Sequence, residues 1–220
     1  MPRITLISLN KVWTDEMKKL LEAQESITII HGKVEDLPRT NTTFVSPANS
    51  LGFMDGGIDY AYSRVMFPGV EKAVRQRIAE LGKKTALGRP YLPIGQAIAV
   101  PTSTPTAHLI AAPTMFLPHD VSKTQNAYAS TLAALALHAK YAPETTLVLT
   151  SHCCGYGKMT EAESAKQMVA ALHDFRNNRL PVDKLFEVPD YLAFPPRDEE
   201  QPNCYDNREI KEIKITDLVF

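Results

Sequence analysis

Six short runs rich in Ile, Val, Leu and Thr recur along the chain: ITLISL (4–9), SITIIHG (26–32), TFVSPA (43–48), QAIAVPT (96–102), HLIAAPT (108–114) and TTLVLTS (145–151). Each has the length and β-branched content of a strand. Several are apolar at nearly every position, the pattern of strands covered on both faces. Between them the period changes. Residues 13–24 put Met17, Leu20 and Leu21 at helical spacing, with Thr14 or Asp15 as the expected cap. Residues 69–82 place Val70, Ala73, Val74, Arg77, Ile78 and Leu81 on i, i+3, i+4 steps and end at Gly82, a C-cap residue. Residues 123–140 are rich in Ala and Leu, and their helix must end before Pro143. Residues 160–176 open with Thr160 and Glu163, spaced as a capping box. Strands alternating with helices predict an α/β layered domain.

This pattern supports one domain over residues 1–178. Within it, residues 83–95 read as a long loop. Residues 179–220 read as a C-terminal extension, packed on the domain or partly disordered, because prolines and charges dominate there. Its end, EIKEIKITDLVF, alternates enough for one last strand.

Composition narrows the function. The 220 residues are 44% hydrophobic and 22% charged, with a formal net charge of −1. That balance suits an ordinary globular protein. It argues against a nucleic-acid or membrane-surface binder, which would carry a basic excess. Cys153, Cys154 and Cys204 are too few and too oddly placed for a disulfide framework, so a reducing compartment is expected. The N-terminus lacks the long apolar core of a signal peptide, and no run reaches membrane-span length. The cytosol is the default location, with the nucleus left open.

Two strand-to-helix turns carry unusual residues, and such turns are where open α/β sheets hold ligands. The first is FVSPANSLGFMDGGIDY (44–60). Its glycines let backbone approach a ligand, and a glycine turn opening a helix presents free amides that favour phosphate. The plain alternative is a capped turn, with Asn49 holding backbone and Asp59 facing a helix dipole. The second is TSHCCGYGKMTEAE (150–163), where Gly155 and Gly157 flank Tyr156. Two such loops on one sheet edge suggest a diphosphate gripped mainly by backbone amides. The order of glycines matches neither the dinucleotide fingerprint nor a P-loop. Cysteine catalysis is disfavoured, because a phosphatase of that kind needs an arginine and residues 155–163 have none. Zinc at His152, Cys153 and Cys154 is disfavoured too, since adjacent ligands rarely satisfy a tetrahedron. Neither a metal nor a cofactor is expected.

With these motifs in view, FVSPANSLGFMDGGIDYAYSR resembles the macro-domain signature, a strand ending in Asn-Ala-Ala-Asn, a glycine-rich loop and a Gly-Gly-Val-Asp helix start. GQAIAVPT, HLIAAPTMFLPHDVSKTQNAYAS and CCGYGKMTEAESAKQM follow in the family's order, so the resemblance spans roughly residues 27–175. It implies a three-layer α/β/α macro-domain-like fold with a mixed central sheet, binding ADP-ribose. By resemblance, Asn49 and Asp59 stand at the distal ribose as catalytic residues. The ligand contacts it implies are Val34, Glu35, Ala48, Gly56, Gly57, Ile58, Ser151, Cys154, Gly155, Tyr156 and Gly157. Lys33 stands where many members carry an Asp for the adenine amino group, so either Glu35 or Asp36 substitutes or adenine is held differently. Cys154 and Lys158 replace a common Thr and Gly. The activity implied is hydrolysis of mono-ADP-ribose linkages. The rivals are a non-catalytic ADP-ribose reader, and an enzyme acting on ADP-ribose 1″-phosphate or O-acetyl-ADP-ribose.

Overall fold

All six apolar runs join one sheet in the computed structural model, which describes residues 2–21 and 26–177. Cys204, the extension beyond residue 178 and its last strand fall outside the described residues. In chain order the elements are β1 (Ile4–Ser8), α1 (Lys11–Leu20), β2 (Ile27–His31), β3 (Thr42–Ser46), α2 (Gly57–Tyr60), α3 (Val70–Leu81), β4 (Lys83–Lys84), β5 (Pro90–Tyr91), β6 (Ile98–Pro101), β7 (Ala107–Ala111), α4 (Asn126–Tyr141), β8 (Thr146–Leu149) and α5 (Glu161–Arg176). The sheet order is β2-β1-β8-β3-β7-β6. Every neighbour pair is parallel except β6–β7, so the sheet is mixed. The two-residue strands β4 and β5 pair with each other inside the expected loop 83–95.

Successive strand residues point to opposite faces, and both faces are covered. Ile4 and Leu6 of β1 and Leu147 and Leu149 of β8 pack with Trp13, Met17, Leu135 and Met168 from α1, α4 and α5. Ile7, Phe44, Leu109 and Val148 face the other way, onto Tyr62, Phe67, Val74 and Ile78. Helices on both faces of a mixed sheet make the three-layer α/β/α architecture. This explains why the strands read as continuous apolar runs rather than alternating ones.

Two helix ends differ from the sequence reading. The α1 helix begins at Lys11, and its cap is Asn10, whose Oδ1 accepts from Val12 N (3.0 Å) and Trp13 N (3.3 Å). Thr14 instead lies buried inside the helix and donates its hydroxyl to Lys11 O, and Asp15 pairs with Lys11. In α3 the buried stripe is Val70, Val74 and Ile78 alone, while Arg77 and Leu81 face outward. Gly82 does close α3, its N–H meeting Ile78 O at 2.7 Å, but in an extended rather than left-handed conformation. Glycine is required there by crowding, because a Cβ would lie 2.5 Å from the carbonyl oxygens of Ile78 and Tyr91. At α5, Thr160 Oγ1 accepts from Glu163 N as expected, while the Glu163 carboxylate accepts from Gln167.

Because β2, β1, β8, β3 and β7 run in one direction, their carboxyl ends open on one edge. Both glycine loops leave the sheet at that edge.

Candidate functional site

The first loop is anchored before it turns. Backbone pairing between β3 and β7 continues past both strands: Ala112 N donates to Ser46 O, Thr114 N to Ala48 O and Ser50 N to Met115 O. Asn49 then holds the loop it begins. Its Nδ2 donates to Phe53 O (2.8 Å), and its Oδ1 accepts from Leu51 N (3.1 Å) and Phe53 N (3.3 Å). The chain next reaches Gly57, at φ 54° in the left-handed region, and enters α2. This helix runs straight into a π-helical segment, Ala61–Met66, closed by Phe67 N on Tyr62 O. The first amides of such a helix have no intrahelical acceptor and face outward.

The second loop is closed by its own backbone. Lys158 N donates to Gly155 O, Met159 N to Cys153 O and Val121 N to Gly157 O. Cys153 (φ 64°) and Lys158 (φ 53°) take left-handed conformations, and Lys158 is the position at which the resembling family commonly has glycine. Gly157 has no room for a side chain, since a Cβ would lie 2.5 Å from Cys153 O and 2.7 Å from Val121 Cγ2. A Cβ on Gly155 would meet nothing within 4 Å.

Between these loops lies a cavity of about 450 Å³. Twelve of the thirteen sequence-predicted site residues line it: Val34, Glu35, Ala48, Asn49, Gly56, Gly57, Ile58, Asp59, Ser151, Gly155, Tyr156 and Gly157. Cys154 stands apart, and Cys153 takes its place in the wall. The Cys154 thiol is turned to His152 O at 3.5 Å, and burial pushes its pKa up to about 11. Lys33 is exposed and outside the wall, so Glu35 is the ionisable group at that end. The lining follows strand order across the edge. Gly32, Val34 and Glu35 follow β2, Ser8 and Leu9 end β1, Thr150, Ser151, Cys153 and Gly155 to Gly157 follow β8, Pro47 to Asn49 and Gly56 to Asp59 follow β3, and Thr114 and Met115 follow β7.

Asp59 is 7% exposed and forms part of the wall of this cleft. The Ser46 hydroxyl donates to its Oδ1 at 2.5 Å. Burial pushes the Asp59 pKa up to about 7; the Ser46 bond opposes this and Glu71 adds to it. Burial, and next the charge of Asp55, also raise Glu71, although Arg64 stands 3.3 Å away. A carboxyl balanced near neutrality in a cleft can accept or release a proton under working conditions, and such groups cluster at functional sites. His152 of the second loop is fully buried and pushed down to about 3 by burial, so it stays neutral.

Solved structures match this fold. The macrodomain of Mycobacterium tuberculosis DarG superposes at a TM-score of 0.50 and 19% identity, over 66% of this chain and 88% of its own. The Oceanobacillus iheyensis macrodomain with MES bound matches at 0.51 and 18%, over 66% and 73%. A variant of that macrodomain with ADPR matches at 0.51 and 18%, over 64% and 73%. The chain has the macrodomain fold. No family model matches its sequence, and no curated protein does. The matched share leaves about a third of the chain outside the superposition.

Several residues at or beside the cavity are not singled out by the sequence. Ser46 reads as an ordinary strand residue, and its role depends on which face of β3 meets the turn of α2. Ser8, whose Oγ lies 3.2 Å from Ser151 Oγ, Thr114, which donates to Pro47 O, and Thr150 are likewise not singled out by the sequence. A wider groove of about 1130 Å³ lies beyond the first loop, along α3, with Leu51, Phe53, Arg64 and Arg75 in its wall. We place the site in the smaller cavity, because only there do both glycine loops and a neutral-range carboxyl meet. Among the described residues no helix is long and apolar enough to cross a membrane, and no cluster of His, Cys, Asp or Glu could hold a metal.

Proposed function

We propose that the chain binds ADP-ribose and hydrolyses mono-ADP-ribose linkages. One observation carries this reading: a single cleft crosses five strand ends and joins two glycine loops to Asp59. A ligand of that shape has a base at one end, a doubly anionic centre and a reactive sugar at the other. The base lies toward Val34 and Glu35. The diphosphate lies between Gly56–Ile58 and Gly155–Gly157, where helix-start and loop amides receive it. The distal ribose lies by Asn49 and Asp59. A solved macrodomain variant with ADPR shares the fold, which supports the choice of ligand.

In this reading Asp59 acts at the anomeric carbon. Ionised, it takes a proton from water as the water oxygen bonds to that carbon and the bond to the acceptor breaks. Its negative charge also offsets the positive charge that develops on the sugar. The products are ADP-ribose and the restored acceptor. Asn49 serves chiefly as the brace of the ribose-side loop, since its amide is spent on Leu51 and Phe53, with one N–H left for the ligand.

That engagement of Asn49, with the near-complete burial of Asp59, favours a second reading: a binder that holds ADP-ribose without turning it over. Release of ADP-ribose from a mono-ADP-ribosylated protein, alongside calorimetry with free ADP-ribose, separates the two. Turnover by wild type and none by Asp59→Ala supports the hydrolase. Tight binding with no turnover selects the binder, and no binding at millimolar ADP-ribose defeats both.

A further inference from the structure

Asp59 has two oxygens in different surroundings. Oδ1 is turned back onto the sheet, where it accepts the Ser46 hydroxyl at 2.5 Å. Ser46 is fully buried as the last residue of β3, so its side chain has no water to turn to. Among the described residues Oδ2 has no hydrogen-bond partner, and Asp59 is part of the cavity wall. A hydroxyl that donates to Oδ1 opposes a proton on that same atom. We propose that Ser46 is a positioning residue that confines the exchangeable proton of Asp59 to Oδ2, the oxygen left to the cavity.

The consequence is chemical. Charged, Asp59 presents Oδ2 as a base. Neutral, it presents an O–H at the same place, able to donate to the sugar or the departing acceptor oxygen. Without Ser46 the proton would divide between both oxygens, and the carboxyl could rotate. The other charged or titratable groups near the pair are Glu71 on α3, Tyr62 on the π-helical segment and, acting on Tyr62, Glu35 beyond β2. Burial and Glu71 disfavour the Asp59 carboxylate, and the Ser46 hydrogen bond favours it. Ser46 is the only one of these groups that bonds Asp59 directly.

This inference takes its rate readout from the hydrolase reading and its second readout from the residue itself. The experiment compares wild type, Ser46→Ala and Ser46→Thr across pH, by ADP-ribose release and by carbon-13 NMR titration of the Asp59 carboxyl. Ser46→Ala is expected to lower kcat roughly tenfold, the size of one hydrogen bond to a charged group. It should move the acid limb and the carboxyl titration to higher pH and leave the affinity for ADP-ribose within about twofold of wild type. Ser46→Thr, which keeps the hydroxyl, should restore the profile. An Asp59 titration unchanged in Ser46→Ala would overturn the proposal. If wild type shows no turnover, the hydrolase reading fails by itself, and the NMR titration still decides the role of Ser46.

Discussion

Ser46 and Asp59, thirteen residues apart, meet through one buried hydrogen bond from Oγ to Oδ1. The bond ties the end of β3 to the first turn of α2, so the acid's position is fixed by the sheet rather than by the flanking loop. Its partner residues gain nothing obvious in stability. Burial works against the ionised carboxylate, and a buried acid of this kind is retained where chemistry needs it.

Asp59→Asn should separate chemistry from binding. Turnover is expected to fall at least about 100-fold, as general-base contributions do. Free ADP-ribose affinity should change only a few-fold by calorimetry. Residual turnover within tenfold of wild type would remove Asp59 from the reaction.

The pH dependence of stability follows from two buried groups that oppose each other. Asp59 keeps its proton in the folded state up to about 7, while in the unfolded chain it ionises near about 4. The folded state therefore binds more protons between those values, and stability falls as pH rises through that window. His152 does the reverse. It is neutral in the folded state down to about 3, and in the unfolded chain it protonates near about 6.5. Its contribution rises with pH over that range. Asp59→Asn removes the first slope and should leave stability climbing more steeply from acid toward neutral. Urea unfolding at several pH values tests this, and profiles parallel to wild type would contradict it.

The two glycines of the second loop should fail differently. Gly157→Ala drives a Cβ to 2.5 Å from a backbone carbonyl, so about 1–3 kcal/mol of stability should be lost along with ligand affinity. Gly155→Ala meets nothing and should leave the melting temperature within a degree or two, while the added methyl at the cavity wall weakens ADP-ribose. Thermal melting with and without ligand distinguishes them.

Tyr62 offers a gain. Among the described residues its buried hydroxyl has no hydrogen-bond partner, and its ring packs against Phe44 with centroids 5.8 Å apart. Tyr62→Phe keeps the ring and removes the stranded group. Stability should rise by about 1 kcal/mol in chemical denaturation, and a loss would reveal a partner for that hydroxyl.

Asn49→Ala should cost about 2 kcal/mol, because three hydrogen bonds bracing the loop disappear together. The same measurement, paired with ligand titration, shows whether Asn49 also contacts sugar. Affinity that falls no further than the loop's loss of order explains would confine it to the brace.

What was legible in the sequence is what local periodicity encodes. The six strands, the layered class and the glycine loops follow from apolar runs, helical spacing and turn residues. Helix ends were less readable, because Asn10 and Thr14 are both competent caps and only packing decides between them. Ten of the twelve lining residues lie in the two glycine loops, and Val34 and Glu35 follow from the family resemblance, whereas Ser46, Ser8 and Thr150 were not singled out. Their places depend on strand order and pleat, which pair residues over a hundred positions apart, as with Ser8 and Ser151. The adjacent cysteines show the same limit. Cys153, held in a left-handed conformation, is the one of the two that joins the wall.

The backbone ladder that continues beyond β3 and β7 has a kinetic consequence. The amides of Ser50, Ala112 and Thr114 belong to that ladder, so they should exchange with solvent deuterium only when the central sheet itself opens. The floor of the cleft cannot breathe on its own. The residence time of a bound ligand should follow changes in the loops above it while remaining insensitive to the sheet beneath.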